Sequence, residues 1–183
     1  MRWQGTPISD TYGRKPVLDF NGEPVFAELA ILGVLQEGGW DGVWVDTYRR
    51  KFRRRMPPAC CDLPSHAQEV YDRIKRTNRD KIGGCFDIFV WKGNDYLFVE
   101  SKRKAKDSIR KTQKAWIEAA LKAGVPLESL LICEWDLGWI DRDLDPLHTK
   151  EDVQELQEMI RNEQNRIGVR KGSRSSSSIV ETV

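Results

Sequence analysis

The chain has 183 residues, is 39% hydrophobic and 32% charged, and carries a formal net charge of only +2. That length suits one domain with a tail and can bury a core without staples, while bulk charge alone announces no polyanion partner. No apolar run approaches the roughly 20 residues that span a bilayer, and the opening MRWQGTPISD has no apolar signal core. A cytoplasmic protein with no membrane partner is therefore expected.

Residues 1–22 are punctuated by Gly5, Pro7, Gly13, Pro16 and Gly22 and read as irregular. A first helix is expected from Pro24, with Phe26, Leu29, Ala30, Leu32 and Leu35 on a wide apolar face and Gly38-Gly39 ending it. A short strand follows over Gly42 to Tyr48. It passes into the basic run RRKFRRR, which Pro57-Pro58 interrupts. A second helix starts at Ser65, where Ser65 and Gln68 have capping-box spacing and Ala67, Val70, Tyr71 and Ile74 share a face.

Gly83-Gly84 lead into two apolar runs, CFDIFVW and YLFVESK, separated by Lys92-Gly93-Asn94-Asp95, a hairpin signal. A third helix is expected over residues 107–123, with Gly124 at its end and Pro126 beyond it. Ser129 to Trp135 (SLLICEW) reads as a buried strand, parallel to its predecessor across the helical crossover. Residues 136–148 form an acidic loop. Thr149 caps a last amphipathic helix carrying Val153, Leu156 and Ile160, and the basic, Ser-rich residues 166–183 read as a disordered tail.

The four cysteines, Cys60, Cys61, Cys85 and Cys133, form no CxxC pair, and Cys60, Cys61 and His66 fit no common zinc spacing. They read as free thiols, with Cys85 and Cys133 as small core residues. His66 has a place on the surface in the first turn of its helix. The seven tryptophans read mostly as core, with Trp91 and Trp116 framing the hairpin site in sequence and Trp44 on its rim.

The hairpin carries the chemistry. A turn centred between Gly93 and Asn94 places Asp87 directly across from Glu100, with Cβ atoms about 4.5–5.5 Å apart. Two facing carboxylates repel unless a cation lies between them, and hard divalent cations prefer carboxylate oxygens. Lys102, two residues beyond Glu100, projects from the same face. The same spacing also fits a cross-strand salt bridge on a solvated sheet face. The flanking Phe86, Ile88, Phe89, Val90, Leu97, Phe98 and Val99 favour charges placed for a purpose. Two carboxylates, an ammonium and a metal suit phosphodiester hydrolysis, which needs a polarised phosphoryl group and an activated water.

GGCFDIFVWKGNDYLFVESK followed by QKAWIEAALKAGVP resembles the VRR-NUC branch of the PD-(D/E)XK nuclease superfamily. The resemblance runs from about Gly83 to Cys133. Asp87, Glu100-Ser101-Lys102 and Gln113 match the family's aspartate, Glu-x-Lys and helical glutamine. Phe86 stands where a proline is usual. The resemblance implies a restriction-endonuclease-like α/β core with a small mixed sheet flanked by helices, over residues 23–165. It implies Mg²⁺ or Mn²⁺ held by Asp87, Glu100, Glu28 of the first helix and the Ser101 carbonyl. Lys102 would activate water, and Gln113 would reach the metal-bound water or the scissile phosphate. Ile109, Gln113, Trp116 and Ala120 share one helical face, so an alternative for Gln113 is a core amide bonded to backbone. Glu28 has a solvated rim position as its alternative.

The basic residues cluster. Arg49, Arg50, Lys51, Arg53, Arg54 and Arg55 crowd one run; Arg103, Lys104 and Lys106 follow the Glu-x-Lys; a third group spans Arg73 to Lys81. Acids concentrate from Asp136 to Glu158. Basic runs are usually solvated faces, but three around a nuclease-like centre favour phosphate contact. The expected function is metal-dependent DNA hydrolysis, endonucleolytic or structure-selective, on the branched or flapped DNA that the resemblance implies. The alternative is a nucleic-acid-binding module of the same fold without activity. Selectivity would come from the chain's own surface, a homodimer partner or another protein.

Overall fold

A computed structural model describes residues 2–9, 12–57 and 59–136. The expected acidic loop beyond Asp136, the last helix and the Ser-rich tail lie outside the described residues. The elements in chain order are β1 (Leu18–Phe20), β2 (Glu23–Val25), α1 (Ala27–Glu37), β3 (Asp41–Asp46), β4 (Lys51–Arg53), α2 (Ser65–Thr77), β5 (Ile88–Lys92), β6 (Asp95–Arg103), α3 (Lys111–Lys122) and β7 (Leu130–Trp135), with a 3-10 turn at Leu127–Ser129. The fold is mixed α/β: a five-stranded mixed sheet, ordered β4-β3-β5-β6-β7, flanked by helices. Every neighbouring pair is antiparallel except β6 and β7, which run parallel across the α3 crossover as expected.

The hairpin register matches the sequence expectation. Gly93-Asn94 form a two-residue turn, and Ile88 pairs with Val99 and Phe89 with Phe98, so the next step of the ladder sets Asp87 against Glu100. Gly93 takes φ 61°, a left-handed conformation glycine adopts without penalty.

The alternation of β5 and β6 splits the core in two. Trp44, Ile88, Val90 and Val99 pack under α1 with Phe26, Leu29, Ile31 and Leu32. Phe89 and Phe98, stacked at 4.2 Å, face the other way. On that side Tyr71 of α2 meets Trp116 of α3 at 5.8 Å and Phe52 of β4 at 5.2 Å. Gly84 has φ 87°, and a Cβ there would fall 2.1 Å from the Thr112 carbonyl. Only glycine lets the first turn of α3 lie this close to the segment leading into Asp87.

Four expectations about the elements need correction. Residues 1–22 are not wholly irregular: Leu18–Phe20 pairs with Glu23–Val25, and Arg2 bridges Leu18. Pro24 is therefore in a strand, and the first helix begins only at Ala27. Pro64, not Ser65, occupies the N-cap of α2, with no side-chain cap bond, so the capping box does not form. α3 starts at Lys111 rather than 107, because the preceding residues turn back: Asp107 accepts from the Arg103 N–H at 2.9 Å.

Candidate functional site

Asp87 sits in the bend just before β5, and its backbone carbonyl accepts from the Val45 N–H at 2.7 Å. This bond ties it to β3 while its carboxylate turns to β6, where Oδ2 accepts from the Ser101 N–H at 3.1 Å. Glu100 and Lys102 share the face of β6 that α3 covers, and both are buried. Lys102 Nζ donates to Glu100 Oε1 at 2.8 Å and to Gln113 Oε1 at 3.1 Å. The Gln113 amide in turn donates to Glu100 Oε1, and its oxygen also accepts from the Arg110 N–H at 2.9 Å. The backbone-bonded reading of Gln113 holds, since its oxygen caps the start of α3, and the same side chain braces the Glu100–Lys102 pair. Its amide is engaged by the protein.

The remaining oxygen, Glu100 Oε2, is buried with no hydrogen-bond partner. A buried acceptor without a donor costs about 1–3 kcal/mol, more when charged, and calls for a cause. Burial raises the proton affinity of Glu100, and Lys102, with hydrogen bonds to Asp87 and Gln113, only partly offsets it. Asp87 is pushed well above the usual carboxylate range, first by burial, then by Glu100 and by Glu28, against the pull of the Ser101 N–H and Lys15. Glu100 and Glu28 thus both press on Asp87, and a bound cation would relieve that pressure.

Glu28 is buried in the first turn of α1, not solvated at a rim. Its Oε1 is paired with Lys15, a residue that no sequence pattern singled out. Lys15 Nζ also lies 5.1 Å from the Trp44 ring centroid. Its only signal in the sequence was an Arg14-Lys15 pair in a Gly/Pro-broken segment, and nothing there pointed to α1. Among the described residues, no group of three or more His, Cys, Asp or Glu side chains forms a ready-made metal cage. The donor set still fits a hard cation: carboxylate oxygens, one of them unbonded. Mg²⁺ typically takes only one or two carboxylates and fills its shell with water and substrate phosphate. Cys60, Cys61 and His66 form no such group either; the His66 ring packs against Trp91 at 5.9 Å.

Two clefts flank Lys15. One, of ≈310 Å³, is lined by Glu28, Ser101, Arg103, Lys106 and Trp135. The other, of ≈450 Å³, is lined by Tyr12, Trp44, Asp46, Tyr48, Arg49 and Asp87. The expected phosphate-binding residues Arg103, Lys106 and Arg49 thus stand beside the acids, while Trp44 lines the floor of its cleft as a buried core residue rather than its rim. Trp116 instead is wholly buried, its Nε1 without a partner.

The basic run divides. Arg49, Arg50, Lys51 and Arg55 are exposed. Arg53 is buried and cannot lie along a phosphate track: its Nε donates to buried Asp46 at 2.9 Å, and its Nη1 to the Ala59 carbonyl at 2.8 Å. β4 runs through the middle of the run, and its alternation turns Arg53 inward beside Trp44. Arg54 is exposed but forks onto Asp41, with its longer bond at 3.0 Å. Asp46 also accepts from Tyr12 Oη at 3.0 Å and the Arg49 N–H at 3.1 Å.

No helix among the described residues is long and apolar enough to cross a membrane. Compared with known proteins, the chain matches no family model, no curated protein and no solved structure.

Proposed function

We propose that this chain is a divalent-metal-dependent deoxyribonuclease of the PD-(D/E)XK type, VRR-NUC-like, cutting DNA internally or at structured sites. The observation that carries the reading is the unbonded Glu100 Oε2 beside an Asp87 whose proton affinity is raised, with Lys102 held on the same carboxylate. The Glu100 carboxyl also stands within hydrogen-bonding reach of Asp87, so in the absence of metal the two acids share a proton that a cation would replace.

Asp87 and Glu100 would hold Mg²⁺ or Mn²⁺, with Glu28 and the Ser101 carbonyl completing the protein's share. The metal would polarise the scissile phosphate and lower the pKa of a bound water. Ser101 N–H orients Asp87, and Gln113 and Lys102 fix the Glu100 carboxylate, so these two ligands are held in place; Glu28 would have to part from Lys15 to join them. The Lys102 ammonium, brought to the site by that brace, stabilises charge developing on the attacked phosphate. Lys15, Arg103 and Lys106 supply positive potential along the adjoining clefts and draw the DNA backbone in.

The test is a cleavage panel of single strands, duplexes, flaps and four-way junctions with Mg²⁺ or Mn²⁺, repeated in excess EDTA. Cleavage that needs the metal and is lost in Asp87→Asn supports the reading. Activity that survives EDTA sinks the metal requirement, and binding without cleavage under every metal condition makes the chain a binding module.

A further inference from the structure

Tyr48 is the one large apolar side chain exposed among the described residues, 89% open to solvent. A single exposed aromatic is ordinary by itself; its position is what matters. It stands in the Thr47–Arg50 turn at the tip of the β3–β4 hairpin, with Arg49, Arg50 and Lys51 exposed beside it. The tip is anchored from below. Asp46, buried, accepts hydrogen bonds from Arg53 and Tyr12 side chains and from the Arg49 N–H, and the Arg49 guanidinium lies 3.7 Å over the Tyr12 ring.

A cleft opens on each face of this hairpin. On the α1 side is the ≈450 Å³ cleft that reaches Asp87. On the α2 side is a ≈780 Å³ cleft edged by Arg50, Lys51, Lys75 and Lys81, with Asp72 and Asp80 as its exposed or half-buried acids and Phe52 and Tyr71 in its wall. Val45, Asp46 and Thr47 line both. The hairpin is thus a hydrogen-bonded partition, tipped by an aromatic ring, between two grooves that each carry cations.

The geometry points to the β3–β4 tip as a strand-parting pin for DNA at a junction of duplex and single strands. Tyr48 stacks on the last base pair. One strand enters the cleft that holds Asp87, and its complement enters the lysine-edged cleft on the other face. Aromatic side chains stack on any base, and flanking cations track the backbone without reading sequence. The inference rests on the nuclease reading for the identity of the substrate and deepens it by naming a forked end.

The experiment is equilibrium binding of a fluorescent fork with both arms unpaired, the matching blunt duplex and the single strand, in EDTA so that no metal is involved. A 2-aminopurine at the junction reports stacking. Wild type prefers the fork over the duplex. Tyr48→Ala loses roughly tenfold in fork affinity, the scale of one base stack, together with the junction signal. Tyr48→Trp restores both. Unchanged melting of Tyr48→Ala, expected of so exposed a residue, assigns the loss to binding. Equal weakening on fork and duplex, or no weakening, overturns the pin. A separate arm with Mn²⁺ keeps the two readings apart: selective fork binding without cleavage leaves the pin standing and removes the nuclease, while cleavage indifferent to Tyr48 does the reverse.

Discussion

Lys102→Met tests whether the buried ammonium acts in the reaction or only neutralises Glu100. Met keeps the apolar stem, and Glu100 Oε1 retains the Gln113 amide as donor. Removing one partner of a buried ion pair costs about 3–5 kcal/mol when the survivor must stay charged. Glu100 need not, because burial already raises its proton affinity and a proton can replace the missing ammonium. The cost then falls toward about 1–3 kcal/mol, that of one imperfectly satisfied buried group. A domain with about 5–15 kcal/mol of stability remains folded. The chemical step should slow roughly 100-fold or more, the scale of one preorganised charge withdrawn from a developing oxyanion, or about 2.7 kcal/mol of barrier. The assay is single-turnover cleavage at saturating protein beside calorimetric Mn²⁺ binding. It is run at several pH values, because a defect caused only by protonating Glu100 recovers at higher pH and saturating Mn²⁺. A variant that cleaves at near wild-type rate, or recovers fully under those conditions, refutes a direct role for the ammonium.

Asp87→Asn and Glu100→Gln should each abolish cleavage in folded protein, which single-turnover assays with circular dichroism will check. The raised proton affinity of Asp87 has a thermal consequence. A group whose folded pKa exceeds its unfolded value contributes stability at acid pH that is lost as pH rises through the folded pKa. The metal-free wild type should therefore melt lower relative to Asp87→Asn at neutral than at acid pH; a gap independent of pH counts against the crowded-acid picture. Mn²⁺ affinity should rise with pH, since protons and metal compete for Asp87 and Glu100, and pH-independent calorimetric affinity would contradict it. Within the basic run, Arg50→Ala with Arg55→Ala should lower the salt slope of duplex binding by about 0.9 for each phosphate no longer neutralised. Arg53→Ala should instead destabilise the fold, by about 3–5 kcal/mol for breaking a buried pair, measurable by denaturant melts. An unchanged slope in the former, or an unchanged midpoint in the latter, reverses that division.

The hairpin site was legible because period-two alternation and a two-residue turn fix register rigidly; once Gly93-Asn94 is the turn, Asp87 must face Glu100. The α3 crossover and the parallel strand SLLICEW followed from the same local signals. What escaped was tertiary. Arg53 differs from its neighbours only because β4 pairs with β3 and turns that one side chain inward, and the crowding of basic residues in this run hides the alternation. Lys15 reaches Glu28 across 13 residues of turns and a β-hairpin, and no periodicity spans such a segment. Ser65 does begin the second helix as expected, but as its first helical residue, with Pro64 at the N-cap, so its hydroxyl makes no cap bond.

Two buried acid–base pairs sit in this sheet, and the contrast between them separates structure from chemistry. Asp46 has both oxygens satisfied: Oδ1 by the Arg49 N–H, Oδ2 by Tyr12 Oη and Arg53 Nε. It anchors the β3–β4 turn, and every donor it uses belongs to that turn, to β4 or to the segment before β1. Glu100 has its bonded oxygen crowded with Lys102 and Gln113 and its other oxygen without a donor, directly across the hairpin from an Asp87 that resists ionisation. Evolution toward stability alone has a simple remedy there, since an amide at either position removes the repulsion and adds a donor beside the bare oxygen. Carboxylates held there at a cost in stability are what the proposed metal site requires. Asp46→Asn should therefore weaken the fold and Asp87→Asn should strengthen it in the absence of metal. Opposite signs in paired denaturant titrations would place the two acids in different roles; a loss of stability in both would make Asp87 another structural anchor and remove the main support for the metal site.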